Sequence, residues 1–515
     1  MADAPGTEFT MADTMSVLAS RGQRRALETA EGQVSYQELS SRADRLARAL
    51  LDLGVKRGER FAFALPNGAR IVECYLACAR SGIVAVPLSE RLSEAEFIYE
   101  VNDAEAVALL YGVGARQTVE ATRGRLPSVR WLISDTDEES ELSVSALTAR
   151  VSDAVLDVHP QPLDIFSVMY TGGTTGLSKA ALHTQQSWAV SLLTTVEEFR
   201  LNEDDRHLVV LPMSHVSWFS TASVLLAGGT AYLHQGWDPA AVVEAVERER
   251  ITTLNMIPTM LGDLLEAIAA RPDGDLSSLR LVTVAGSPMP PEMYRRAHSI
   301  LGPIVGNIYG LTETSGPVSY LLPEDLNDSR LRSGGRAGRF VELAILGEEG
   351  EVTDGSRPGE IALRGPQITV GYLNRPEESE QAFRNSWFLT GDIGQLDQDG
   401  FLYIVDRRKD MVKSGGYNVY PKEVEEVIYT HPDVLEAAVF GVSDPRWIEA
   451  VHGAVVIQPG AALTEDVLRA YCRKELPGYK VPKVIHFERE LPRTPIGKFD
   501  KANLKRRYEQ DAVQA

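Results

Sequence analysis

The stretch Ser167-Val168-Met169-Tyr170-Thr171-Gly172-Gly173-Thr174-Thr175-Gly176-Leu177-Ser178-Lys179 is the clearest chemical signal in the chain. An apolar run leads into a loop of Gly and Thr that closes on a Lys. Glycines let successive backbone N–H groups turn toward an anion without steric cost. Hydroxyls add donors and the Lys adds a positive charge, so the loop suits a polyphosphate. A plain flexible surface loop is the alternative, and the density of Gly, Thr, Ser and Lys weighs against it. It is not a Walker A loop, which needs Gly, four residues and then Gly-Lys-Ser/Thr. Counted from Gly172, Leu177 stands where the second Gly belongs; counted from Gly173, Ser178 does. A P-loop kinase or ATPase is therefore disfavoured.

Such a loop needs strands and helices to hold it. Phe61-Ala62-Phe63-Ala64-Leu65 reads as a buried strand ending at Pro66-Asn67-Gly68, with a helix-like stretch to Arg80 and a strand over Ile83–Leu88. The same rhythm returns at Leu208–Leu211, Thr253–Ile257 and Leu281–Ala285. Strands spaced by helices predict an α/β body, and continuous apolar strands predict mostly parallel sheets covered on both faces. Beyond about Gly335 short strands such as Glu360–Arg364 and Phe401–Val405 are separated by Gly, Pro and Asp turns, which predicts a small β-rich unit. The charged stretch Asp406-Arg407-Arg408-Lys409-Asp410 is a candidate boundary. A smaller α+β module follows, with helices at Pro421–Thr430 and Glu465–Lys474 and a strand at Val434–Val442.

At 515 residues the chain exceeds one ordinary core, so two or more domains are expected. Apolar residues at 44 % and charged residues at 24 % are those of a globular protein. No apolar run is long enough to span a bilayer, and Met1-Ala2-Asp3-Ala4-Pro5 lacks a signal-peptide start, so a cytoplasmic protein is expected. Cys74, Cys78 and Cys472 are too few for a disulfide scaffold; Cys74 and Cys78 read as core thiols. A net charge of −20 argues against a nucleic-acid partner. From Arg407 onward Lys and Arg number 18 against 16 Asp and Glu, while the rest carries 34 against 56. A near-neutral tail module beside an acidic body fits a polyanionic small ligand that meets both.

Residues Tyr170 to Lys179 resemble the signature of the adenylate-forming superfamily, which holds acyl- and aryl-CoA ligases, luciferases and nonribosomal adenylation domains. The family's other segments follow in order: Tyr309-Gly310-Leu311-Thr312-Glu313, Gly371-Tyr372-Leu373-Asn374, Trp387-Phe388-Leu389-Thr390-Gly391-Asp392, Asp406-Arg407-Arg408-Lys409-Asp410, Ser414-Gly415-Gly416-Tyr417-Asn418 and Pro492-Arg493-Thr494-Pro495-Ile496-Gly497-Lys498. Ser35-Tyr36-Gln37-Glu38-Leu39 extends the match upstream, so it covers nearly the whole chain and stands closest to bacterial acyl-CoA ligases. Two departures lie in the phosphate loop: Ser178 replaces the usual Pro, and Ala180 the usual Gly. The resemblance implies a large N-terminal domain over 1–406, with a β-barrel-like subdomain at about 335–406. It also implies a small mobile α+β C-terminal domain over 407–515.

The resemblance further implies activation of a carboxylic acid by ATP, with Mg²⁺, and transfer of the acyl group to the thiol of coenzyme A. Attack of one anion on another needs cationic help. Lys498 resembles the catalytic Lys that bridges carboxylate and α-phosphate. Glu313 resembles the Mg²⁺ ligand and Thr312 a phosphate contact. Thr171, Gly172, Gly173, Thr174, Thr175 and Lys179 would hold the phosphates; Tyr309 would lie against the adenine, with Asn307 and Ile308 also among the nucleotide-binding residues; Asp392 and Arg407 would reach the ribose. Lys409 occupies the hinge position. Rotation there would withdraw Lys498 and bring Lys413, Ser414, Gly415 and Gly416 to the site, with Trp447 against the pantetheine arm. The family often has Gly where Ile448 stands.

Leu211-Pro212-Met213-Ser214-His215-Val216-Ser217-Trp218 resembles the segment lining the acid pocket. His215 would orient the carboxylate, which needs no deprotonation at pH 7. Domains that activate α-amino acids usually carry an Asp where Val216 stands, so an acid without an α-ammonium is expected. Gly286, Ile308, Gly310, Thr314, Ser315 and Gly316 would complete the pocket, and their small size predicts room for a sizeable or cyclic acid. Asn307 replaces the Gln common in aryl-CoA ligases, which weighs against coumarate-type recognition. The alternatives are an enzyme that loads a carrier protein or stops at acyl-AMP, a luciferase-like monooxygenase, and a non-catalytic binding module. A homodimer is compatible with any of them.

Overall fold

The computed structural model describes residues 9–136, 142–151, 156–171, 178–215, 217–287, 289–415, 417–493 and 499–514, with side chains through Glu509. The chain divides into two compact units. One takes in the described residues of Met1–Thr171, Ser178–Leu343 and Leu363–Phe388; the other takes in those of Ala344–Ala362 and Leu389–Ala515.

The first unit carries two large sheets. Six parallel strands, in spatial order Val305–Leu311, Leu281–Val284, Thr253–Met256, Arg206–Val209, Thr230–Leu233 and Arg25–Thr29, make up most of a nine-stranded sheet. Gly316–Leu321 and then Arg336–Ala337 add antiparallel at one edge, and Gly32–Ser35 adds antiparallel at the other. The second sheet runs Trp131–Ser134, Ala108–Tyr111, Arg60–Ala64, Val84–Leu88, Ile165–Tyr170, Ala180–Thr184, parallel except for the last pair. The strands expected from apolar runs at 61–65, 83–88, 253–257 and 281–285 all form, each within a residue or two of its expected ends.

The helices Tyr36–Asp52, Ala69–Ser81, Gln185–Glu198 and Trp218–Ala227 supply a core shared with strands of both sheets. Ala69–Ser81 is apolar on nearly every side and almost wholly buried, as a helix between two sheets must be. Cys74 and Cys78 lie in it, fully buried, and burial pushes both thiols up, so they are inert core thiols. Trp218 stacks on Tyr75 with centroids 4.4 Å apart, and Trp188 Nε1 donates to Ser167 Oγ at 2.9 Å, which fixes the strand that feeds the phosphate loop.

A five-stranded sheet has the order Glu342–Leu346, Gly359–Arg364, Trp387–Leu396, Phe383–Arg384, with Leu402–Arg407 also paired to Trp387–Leu396. It is the β-rich element expected beyond Gly335. The C-terminal module has the long hairpin Val434–Asp444/Ile448–Ile457, with Val412–Ser414 and Val484–Phe487 beside the second strand and the helices Pro421–Tyr429 and Glu465–Glu475 packed with it. Within the second unit Asp406 joins sheet to module: its carboxylate accepts from Lys422 N at 2.8 Å and from Arg407 N at 2.7 Å. The whole is mixed α/β, with a large domain of mostly parallel sheets and a smaller α+β C-terminal domain.

Candidate active site

Ligands of open parallel sheets gather beyond the carboxyl ends of the strands. In the nine-stranded sheet that edge collects the residues singled out above. Arg206–Val209 runs on to His215 and Ser217, Leu281–Val284 to Gly286, and Val305–Leu311 carries Asn307, Ile308, Tyr309 and Gly310 before the one-turn helix Thr312–Thr314. The topology thus brings together residues that the sequence spreads over a hundred positions.

The strands on either side of the Gly- and Thr-rich segment pair antiparallel. Tyr170 pairs with Ala180, and Thr171 N donates to Lys179 O at 2.8 Å. Ala180 is ordinary extended strand, which is why Gly is not needed there. Gly172, Gly173, Thr174 and Thr175 lie outside the described residues. Lys179 places Nζ 5.2 Å from the centroid of the Tyr372 ring, and the Tyr372 hydroxyl donates to Glu313 Oε1 at 2.8 Å. A lysine from the loop and a carboxylate from the sheet edge are therefore joined through one tyrosine. A single carboxylate beside a lysine has the chemistry to hold a Mg²⁺ ion whose other ligands are the oxygens of a polyphosphate. Among the described residues no group of three or more His, Cys, Asp or Glu side chains could hold a metal by itself.

His215 keeps an exposed surface although protein surrounds it densely enough that desolvation lowers its pKa. A residue that is walled in yet accessible is what the lining of a cleft looks like, and its ring is neutral at pH 7. Val216 lies outside the described residues. Ser217 is half-buried and bonds back to Pro212 O. Trp218 is fully buried in the core stack on Tyr75.

Thr314 and Ser315 are fully buried, and their hydroxyls are committed within the protein. Thr314 Oγ1 accepts from Leu311 N at 3.0 Å and lies 2.6 Å from Gly316 O; Ser315 Oγ is bonded to His183 Nδ1 at 2.8 Å. Burial lowers the His183 pKa to about 3, so this buried ring stays neutral. Gly310 and Gly316 are small because the backbone demands it. A Cβ at Gly310 would meet Gly316 O at 2.6 Å, and one at Gly316 would meet Ser191 Oγ at 2.5 Å. Gly286 is exposed at φ +85°. Asn307 Nδ2 donates to Ser333 O at 3.2 Å, and Ile308 and Tyr309 are buried.

In the second unit Asp392 is buried opposite Arg407, whose Nε stands 3.5 Å from its Oδ1. Gly391 stands at φ +72° within the strand Trp387–Leu396, and the Asp392 N–H beside it donates to Thr390 Oγ1 at 3.1 Å. Lys409 follows two residues after Arg407 with its pKa lowered by desolvation. Lys413 is exposed, and its N–H donates to Glu449 Oε2 at 2.9 Å. Ser414 is buried, while Gly415 lies under the Trp447 ring: a Cβ there would come within 2.9 Å of Cε3, and Gly415 N donates to Trp447 O at 2.7 Å. The half-buried indole thus already has a packing partner. Gly416 and Lys498 lie outside the described residues.

Tyr372 is visible in the sequence as part of Gly371-Tyr372-Leu373-Asn374, but nothing there gives it a task; His183 carries no signal beyond being a lone histidine in an apolar strand.

Fold and site define an adenylate-forming enzyme. A family model described as AMP-binding enzyme matches residues 16–373, and one described as AMP-binding enzyme C-terminal domain matches 423–498. A feruloyl-CoA synthase from Amycolatopsis sp is 37 % identical over 484 residues, spanning 92 % of this chain and 94 % of its own. An indoleacetate–CoA ligase from Aromatoleum aromaticum is 34 % identical over 486 residues, spanning 93 % of this chain and 94 % of its own. Among solved structures, the amide bond synthetase McbA from Marinactinospora thermotolerans superposes with a TM-score of 0.87 at 30 % identity, covering 97 % of this chain and 100 % of that one. The chain belongs to the AMP-binding enzyme family, and it is an AMP-forming acid–thiol ligase. Among the described residues no helix is long and apolar enough to cross a membrane.

Proposed function

We propose that the protein joins ATP to a carboxylic acid lacking an α-ammonium group, forms acyl-AMP with release of pyrophosphate, and passes the acyl group to coenzyme A. The observation that carries this reading is the meeting of Lys179, Tyr372 and Glu313 at the carboxyl edge of the parallel strands. In the first step a carboxylate oxygen attacks the α-phosphorus and the bond to pyrophosphate breaks. Lys179 takes the phosphate side, and Lys498 meets carboxylate and α-phosphate together. Mg²⁺, when bound at Glu313, supplies neutralising charge to the polyphosphate. Neutral His215 donates a hydrogen bond that orients the carboxylate. Asp392 accepts from the ribose hydroxyls, with Arg407 holding its carboxylate in place. In the second step the thiol sulfur attacks the acyl carbon and AMP leaves.

The N-terminal domain in this reading spans 1–406 and the mobile C-terminal domain 407–515, with Lys409 as the hinge; Lys413, Ser414, Gly415, Gly416 and Trp447 serve the thiol step. Val216 is the residue that turns away an α-ammonium. The relatives named for ferulate and indoleacetate both take aromatic acids, which puts aromatic acids first among substrates to test. A second reading follows from the likeness to an amide bond synthetase: acyl-AMP released to an acceptor other than coenzyme A. A panel of aromatic, cyclic and fatty acids, assayed with ATP with and without coenzyme A, separates the two when AMP and thioester are followed independently. Thioester formation with one acid class supports the first reading. AMP formation indifferent to coenzyme A sinks it.

A further inference from the structure

The segment 367–373 touches the site at several points, and none of its residues has a role in the reaction as described above. Gln367 is fully buried, and its Nε2 donates to Thr314 O at 3.2 Å and to Pro317 O at 2.8 Å. Thr369 N donates to Glu313 O at 2.7 Å. The Tyr372 hydroxyl donates to Glu313 Oε1 at 2.8 Å. Backbone, side chain and following turn of Glu313 are thus all held by one short run of chain.

The same run is laced to the strand that delivers Lys179. Leu182 N donates to Gly371 O at 2.9 Å, Val370 N to Leu182 O at 3.1 Å and Leu373 N to Ala180 O at 2.9 Å. Thr369 Oγ1 lies 2.8 Å from both Leu182 O and Gly371 O. Tyr372 closes the arrangement, with its ring face toward Lys179 Nζ and its hydroxyl on Glu313. A ring face attracts an ammonium, and a phenolic donor fixes one carboxylate oxygen so that the other keeps a set direction. Groups that orient a metal-binding carboxylate change metal affinity without touching the metal.

We infer that Tyr372 is a positioning residue that sets the phosphate-binding lysine and the metal-binding carboxylate against each other, with 367–373 as the strap that holds it. This rests on the roles given to Lys179 and Glu313 under the proposed function. The test uses the full chain and needs no acid substrate: calorimetric titration with ATP over a series of Mg²⁺ concentrations, beside thermal unfolding. Tyr372→Phe keeps the ring face and loses the hydroxyl. It is expected to raise the Mg²⁺ needed for half-maximal ATP binding about tenfold, with the thermal midpoint unchanged. Tyr372→Leu also loses the ring face, and is expected to weaken ATP binding further even at saturating Mg²⁺.

Glu313→Gln should shift the Mg²⁺ requirement as well, and adding Tyr372→Phe to it should bring no further shift, since both act through one carboxylate. A wild-type Mg²⁺ requirement in Tyr372→Phe, or additive effects of the two changes, overturns the inference. Glu313→Gln with no shift instead overturns the assignment of Glu313, so the two failures are distinguishable. Should Tyr372→Phe not fold, Thr369→Val loosens the strap while leaving the tyrosine. It is expected to shift the requirement about threefold in the same direction, a partial form of the same loss, and no shift refutes the strap.

Discussion

Ile448 stands at φ +71° with 66 % of its surface exposed. A β-branched residue there is strained, because its Cβ crowds the following carbonyl, at a cost of roughly 1–2 kcal/mol. The strained residue follows Trp447, whose carbonyl holds Gly415, so the strain lies beside the turn assigned to the thiol step. Ile448→Gly should stabilise the folded chain by about 0.5–1 kcal/mol, the relief being offset in part by the greater freedom of Gly in the unfolded chain. Urea unfolding of the full chain reads this as a higher midpoint with unchanged slope. Gly316 behaves in the opposite way. Its φ is +148°, and Ser191 Oγ lies 2.5 Å from where an alanine methyl would sit, so Gly316→Ala should destabilise by about 1–3 kcal/mol. Unchanged stability would mean that Gly316 is small for the sake of the acid rather than the packing. Lys498→Ala should abolish pyrophosphate release while ATP binding survives within a few fold; undiminished adenylation removes Lys498 from the mechanism.

The elements that position these residues differ in how far the chain announces them. Strands such as Thr253–Met256 and Leu281–Val284 are short continuous apolar runs, and their burial on both faces makes them legible. Glu313 and Lys179 are legible as chemistry through their motifs. Tyr372 is legible as a letter in a motif but not as a contact, because its partner Glu313 lies 59 residues away and the bond exists only once sheet and strap are formed. The small residues assigned to the acid pocket are ambiguous in the sequence for a related reason: close backbone approach and an open cavity call for the same side chains. The helix Glu94–Asp103 shows what local reading omits. Tyr99 donates to Ser178 O at 2.8 Å, so the helix steadies the foot of the phosphate loop, and Glu100 is buried on the same helix. Desolvation, with Glu96 and Asp103 adding to it and Ser178 opposing, raises the Glu100 pKa from 4.5 to about 8. Between those values the folded chain holds a proton that the unfolded chain has lost, so this group makes stability fall as pH rises from about 4.5 to 8. Glu100→Gln removes the loss. Its thermal midpoint relative to wild type should climb from pH 5 to 8 and level off above; a constant difference would show that Glu100 ionises normally.

At the scale of the molecule the question is how the chain would carry out the two proposed steps in turn. Of the described residues, Lys179 and Glu313 lie in one unit, and Asp392, Arg407, Lys413, Ser414, Gly415 and Trp447 lie in the other. Lys409 follows the strand Leu402–Arg407 and precedes Val412–Ser414, so a change of backbone angle there redirects everything beyond it. Asp406 ties the two sides of Lys409 through its bond to Lys422 N, and desolvation raises its pKa, which marks it as a costly carboxylate to keep buried. Lys409→Pro fixes φ at the proposed hinge. If the C-terminal domain turns about Lys409, this variant should release pyrophosphate at close to the wild-type rate and lose thioester formation by at least about a hundredfold, since only the second step needs the turn. Single-turnover measurement, with acyl-AMP and thioester quantified separately, reads both. A variant that forms acyl-AMP and thioester at wild-type rates would show that the two steps share one arrangement of the domains.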